Sequence, residues 1–132
     1  MPTANLNNPT TATIDTGMES IVIVRNLDAV RGGRTLDVTG FTPTVIQAGH
    51  LIIKSATGVY KPMPVTMAGG VATGYAALPA SHTYEGVLIA GVLTAKPFAG
   101  ILTQGTVNPL ASPFPPTAGA IAALINIQFR AD

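Results

Sequence analysis

At 132 residues, with 47% hydrophobic residues, 10% charged residues and a formal net charge of +1, the chain is one domain long. Its charge content falls well short of the roughly 25% of an ordinary soluble domain. The absence of cysteine excludes disulfides, thiolate metal sites and a cysteine nucleophile. The seven basic residues are scattered, so no basic patch marks the chain for nucleic acid, and no apolar stretch approaches the roughly 20 residues of a membrane-spanning helix. A chain so short of charge either buries an unusual share of its surface within its own fold or covers much of it with copies of itself or a partner, and the second is expected.

Residues 1–17 (MPTANLNNPTTATIDTG) are polar and rich in Thr and Asn, with Pro2 and Pro9. They read either as a tail or as an extended N-terminal arm that orders on a neighbouring subunit and adds backbone groups to a sheet edge. They have neither the basic nor the apolar region of a signal peptide, so synthesis and use without Sec export are expected. The β-rich domain proper is expected over residues 18–132.

Ser20–Arg25 (SIVIVR) is β-branched and predicts a strand. Asn26–Gly33 reads as a loop ending in Gly32-Gly33, and Arg34–Val38 alternates as a half-exposed strand does. Gly40–Pro43 breaks the chain. Val45–Ile46 leads into the turn signal Gln47-Ala48-Gly49, and His50–Lys54 is a further strand. Ser55–Gly58 predicts a hairpin turn, with Val59–Lys61 running back. Pro62 and Pro64 place that segment at a sheet edge. Residues 66–83, with Gly69, Gly70, Gly74 and Pro79, read as a long loop.

The apolar runs Gly86–Leu93 and Phe98–Thr103, separated by a Lys96-Pro97 break, suit strands buried on both faces, with a continuation at Thr106–Val107. Asn108–Pro116 holds four prolines and is irregular. Thr117 then N-caps a short helix, Ala118–Leu124. In the final strand Ile125, Ile127 and Phe129 share one face. The fold class is therefore mainly β: a compact, single-domain β-sandwich or barrel-like fold with one short C-terminal helix. Val22, Val24, Ile52, Val87, Ile89, Ile101, Ile127 and Phe129 are its expected core.

Catalytic and ligand chemistry is sparse. His50 and His82 have no partners at metal-ligand spacing; Glu85 is the nearest acid to His82. Of the acids Asp15, Glu19, Asp28, Asp37, Glu85 and Asp132, only the central four are placed to make a carboxylate pair. The chain has no Trp, three Tyr and four Phe, few for the aromatic platforms of a sugar site. Gly32-Gly33 and Gly69-Gly70 read as turns rather than phosphate loops, since neither opens a helix and no Gly-Lys-Ser/Thr follows. Arg25, Arg31 and Arg34 form either a polar contact to a partner or an ordinary solvated face. No catalytic, cofactor-binding or metal-binding residue is assigned, no cofactor is expected, and the chain is expected not to be an enzyme.

The order of segments resembles the small capsid-decoration and head-fibre proteins of tailed bacteriophages. The resemblance spans residues 44–130. It rests on the QAGHLI turn at Gln47–Ile52, the Lys54-Ser55-Ala56-Thr57-Gly58-Val59-Tyr60-Lys61-Pro62 segment and the Gly86-Val87-Leu88 strand. It continues in the Leu102-Thr103-Gln104-Gly105-Thr106-Val107-Asn108 turn, and in an Ala-rich helix leading into Ile125-Asn126-Ile127-Gln128-Phe129. The chain departs from those proteins in its polar arm and its 66–83 segment, and no added fibre or immunoglobulin-like domain is expected.

The resemblance implies a homo-oligomer, typically a trimer, made in the host cytoplasm and carried on the capsid surface of the virion. There it binds the major capsid protein and stabilises the shell by adding contacts between capsomers. The alternative roles are another phage assembly subunit (tail, baseplate or head-fibre base) or a β-rich glycan- or peptide-binding module. The few aromatics argue against the last of these.

Overall fold

A computed structural model describes residues 17, 19–30 and 32–131. The expected N-terminal arm, apart from Gly17, lies outside the described residues, as do Met18, Arg31 and Asp132. The chain opens with a helical turn, α1 (Glu19–Val22), followed by β1 (Ile23–Ala29), β2 (Arg34–Thr35), β3 (Val45–Ile46), β4 (Leu51–Ser55) and β5 (Tyr60–Pro62). Next come β6 (Val65–Ala68), β7 (Val71–Tyr75), β8 (His82–Leu88), β9 (Val92–Leu93), β10 (Phe98–Ala99) and β11 (Ile101–Val107). The chain closes with α2 (Ala118–Ala123) and β12 (Ile127–Phe129). The fold is mainly β with one short C-terminal helix.

Six strands form the principal sheet, in the order β1-β11-β8-β4-β5, with β12 added to β11. Every pairing in it is antiparallel except β11 with β12. A parallel pair needs a crossover connection, and the proline-rich segment and α2 supply it. Three two-stranded ribbons complete the fold: β2 with β10, β3 with β9, and β6 with β7.

The central strands are buried on both faces, as their unbroken apolar runs predict. Period-two alternation divides each run between two layers. Leu51, Ile53, Val87 and Leu102 pack on one side with Val22, Met63, Ala120 and Ile127. Ile52, Leu88 and Ile101 pack on the other with Leu36, Ile46 and Ala99. The helix thus covers one face, while the β2–β10 and β3–β9 ribbons bring Leu36, Ile46 and Ala99 to the opposite one.

Strands β8 and β11 approach closely at Gly86. A Cβ there would fall on the Leu102 backbone carbonyl and against the Ile101 side chain. Gly86→Ala therefore overpacks the junction of β8 and β11 and is expected to cost about 1–3 kcal/mol, read as a lower urea midpoint. An unchanged midpoint would show that the two strands separate at little cost.

Several elements match their sequence signals. Thr117 N-caps α2, its Oγ1 accepting from the Ala120 amide at 3.2 Å. Thr117→Ala is expected to lower stability by about 1 kcal/mol, and a thermal melt would detect it. The Ser55–Gly58 turn joins β4 to β5 through bonds from the Gly58 amide to the Ser55 carbonyl and from the Ser55 amide to the Val59 carbonyl, both 2.9 Å. Pro62 lies on the edge strand β5, where a missing donor is tolerated.

Other expectations need correction. Residues 66–83 are not a long loop. They contain most of the β6–β7 hairpin and the start of β8. The hairpin turns at Gly69 and Gly70, whose φ values of 57° and 80° suit a two-residue turn that needs left-handed backbone at both positions. The expected strand at Ser20–Arg25 begins only at Ile23, because residues 19–22 form a helical turn. The Glu19 carboxylate accepts from the Gly91 amide at 2.8 Å, and the Val22 carbonyl accepts from the Asn108 amide at 2.8 Å. These tertiary bonds override β-propensity.

The strand then runs to Ala29, through what the sequence reads as a loop. Arg34–Val38 contributes only two residues to a ribbon. Beyond them, the Leu36 amide bonds to the Pro97 carbonyl and the Asp37 amide to the Tyr60 carbonyl. Gly86–Leu93 divides into β8 and β9, and Phe98–Thr103 divides at Gly100 between β10 and β11.

The expected core holds at Val22, Ile52, Val87, Ile101 and Ile127. Ile89 and Phe129 are only half-buried, and Val24 is exposed. Ile125 precedes β12 and is 84% exposed, so it does not share a face with Ile127 and Phe129.

Candidate interaction surface

The two histidines are engaged differently. His50 is 2% exposed and stands in a cage of rings. Its centroid lies 5.5 Å from Phe41, 5.1 Å from Tyr75 and 6.0 Å from Phe114, all edge-on. Its Nε2 is 2.8 Å from the Met63 carbonyl. A carbonyl only accepts, so Nε2 carries the proton and Nδ1 is bare in the neutral ring. Burial pushes its pKa down to about 4, against the opposing effect of the Met63 bond. Tyr75 accepts from the Leu51 amide at 2.9 Å, and burial raises the pKa of its hydroxyl well above the usual range. His50 and Tyr75 thus tie β4 to its surroundings, inside the fold rather than at a surface.

His82 opens β8. Its Nδ1 is 2.8 Å from the Ala80 carbonyl, and its Nε2 is covered, with no hydrogen-bond partner among the described residues. Glu85, its nearest acid in the sequence, pairs instead with Lys54 at 3.7 Å. Asp37 lies 3.9 Å from Lys61. It accepts from the Thr39 hydroxyl at 2.6 Å and the Thr39 amide at 3.0 Å. The Thr39 bonds hold its carboxyl below the usual value, with a smaller contribution from Lys61. Glu19 is bound to the Gly91 amide. Asp28 accepts from the next residue's amide. Asp15 and Asp132 lie outside the described residues. Each central acid is thus tied to its own partner. No three His, Asp or Glu side chains converge on a metal-sized site among the described residues.

A shallow cleft of about 260 Å³ runs beside β5, walled in part by Asp37, Phe41, Lys61, Pro64, Met67 and His82. Its walls are largely apolar, with the Asp37–Lys61 pair among them. The Arg25, Arg31 and Arg34 group is described only in part. Arg31 lies outside the described residues, and Arg25 is exposed on β1. Arg34 lies 5.7 Å from the centre of the Tyr60 ring. Lys54 stands at the same distance from that ring. This pairing of two cations with one tyrosine joins residues 20 positions apart, so no local pattern announces it.

The surface is most distinctive where it is apolar. Leu27, Val71, Phe98, Leu110 and Ile125 are all more than half exposed. On β1 the cause is a register fault. Ile23 faces Val107 and Arg25 faces Thr106, so Val24 is an extra residue; Asn26 faces Gly105 and Asp28 faces Gln104, so Leu27 is another. Such bulges re-aim side chains, and here they turn a valine and a leucine outward. Val71 projects from the β6–β7 hairpin, and Phe98 from the β2–β10 ribbon. These side chains leave apolar area on the surface.

Compared with known proteins, the chain matches no protein-family model, no curated protein and no solved structure.

Proposed function

We propose that the chain is a structural virion protein of the capsid-decoration type, which trimerises and binds the outer face of a phage shell. The observation that carries this reading is how the segments resembling decoration proteins come together. Lys54–Pro62 spans the β4–β5 hairpin, Gly86–Leu88 ends β8, and Leu102–Asn108 runs along β11 and just past it. The Ala-rich segment is α2, and the last motif contains β12. Those stretches, dispersed along the sequence, build five strands of a single sheet and the helix that covers it. The exposed apolar side chains give such a protein something to bury against the major capsid protein. Binding to the assembled shell alone stabilises that shell by mass action.

Co-sedimentation with expanded phage capsids stripped of their own decoration proteins tests the reading. The protein pellets with expanded shells and not with unexpanded ones, and it raises the temperature at which they open. Failure to pellet with any expanded shell overturns it. Deleting residues 2–16 is expected to leave the thermal midpoint unchanged and to weaken capsid binding. Equal retention by the truncated and full chains would make that segment a passive tail.

A further inference from the structure

We infer that the outer edge of β1 is a two-fold contact between copies of this chain. Among the described residues, β1 pairs with β11 and with no other strand, so no described strand lies along its far edge. Every residue from Val24 to Asp28 is exposed. The strand's two bulges turn Val24 and Leu27 to the surface; bulges and charges keep such an edge from continuing as a sheet, so what it offers a partner is its exposed side chains.

The charges on the same strand select which partner. Arg25 faces Thr106 and Asp28 faces Gln104 across the ladder, and neither forms an ion pair among the described residues. When a second β1 lies antiparallel so that Arg25 meets the partner's Asp28, symmetry places Asp28 against the partner's Arg25. The same register sets Val24 beside the partner's Ala29 and Leu27 beside the partner's Asn26. The strand is thus self-complementary in charge, the condition for a contact made by one patch on both copies.

The bulges interrupt the ladder, so side chains rather than a continued sheet carry this contact. A seven-residue strand is only about 23 Å long and cannot by itself bury the roughly 1,200 Å² of a standard interface. The contact is therefore weak in dilute solution and effective where copies are already held close. A two-fold contact does not close a trimer, so, resting on the trimeric reading above, it joins copies from neighbouring trimers.

Sedimentation equilibrium of the full chain at rising concentration tests this with R25E and D28R. Wild type doubles in mass as concentration rises, from trimer to hexamer, or from monomer to dimer where the trimer does not form. Each variant alone sets like charges against each other and weakens that step about tenfold, while an equimolar mixture of the two recovers it. The double variant R25E/D28R also recovers it, and unchanged circular dichroism shows that both single variants fold. No association of wild type at any concentration, association indifferent to either variant, or no rescue on mixing would each overturn the inference. Particle binding is not read here, so a chain that ignores capsids but obeys this pattern fails the capsid reading and keeps the β1 contact.

Discussion

Truncating Ile101 to alanine is expected to lower the unfolding free energy by about 2–5 kcal/mol. Ile101 is fully buried. It pairs with Leu88 and packs in the layer built with Leu36, Ile46, Ile52 and Ala99. The next residue, Leu102, points into the opposite layer with Val22, Val87 and Ile127. The two cores therefore meet along β11, and β1, β8 and β12 all pair with it. A cavity at Ile101 cannot be filled by one strand moving alone. Phe129→Ala removes a larger side chain from a half-buried position and is expected to cost less. Urea midpoints for the two variants decide this. If Phe129→Ala is the more damaging, the weight of the core lies at the C-terminal strand and not at β11.

The second large effect is a loss of stability in mild acid. In the folded chain the His50 pKa is about 4, against 6.5 for an unperturbed imidazole. Between those values the unfolded chain carries a proton on this ring and the folded chain does not. The stabilisation is fully present above pH 6.5 and is lost as the pH falls toward 4, amounting to about 3 kcal/mol. The physical cause is that a charged imidazole inside the ring of Phe41, Tyr75 and Phe114 would lose its water without gaining a counter-ion. Stability measured by urea titration at pH 7, 5.5 and 4.5 should therefore decline stepwise. His50→Gln, which keeps a donor for the Met63 carbonyl, should flatten that decline although it lowers stability at pH 7. An equal decline in both proteins would assign the acid sensitivity to the carboxylates.

The buried strands were legible because their signal is local. Leu51–Ile53, Gly86–Leu88 and Ile101–Leu102 are continuous apolar runs, and both of their faces are covered. The Thr117 cap and the Ser55–Gly58 turn were equally legible, since each depends on a few adjacent residues. The β6–β7 hairpin was legible in principle: Val-Thr-Met-Ala and Val-Ala-Thr-Gly-Tyr flank a Gly-Gly pair, the spacing of a two-residue turn. The many small residues around it made the stretch resemble a loop. The β1 bulges were not legible, because a bulge depends on the partner strand, some 80 residues further along the chain. Without them, alternation places Val22 and Val24 on one buried face. The aromatic cage of His50 draws on Phe41, Tyr75 and Phe114, three separate loops and strands, so the sequence shows only a histidine without neighbours.

The most direct test of the proposed role is cryo-electron microscopy of expanded, undecorated phage capsids mixed with the full chain. The account predicts added trimeric density on the outer face, at the junctions between capsomers, into which three copies of the six-stranded sheet can be placed. Bare shells, or protein that instead forms rings, tubes or filaments apart from the shell, would contradict it.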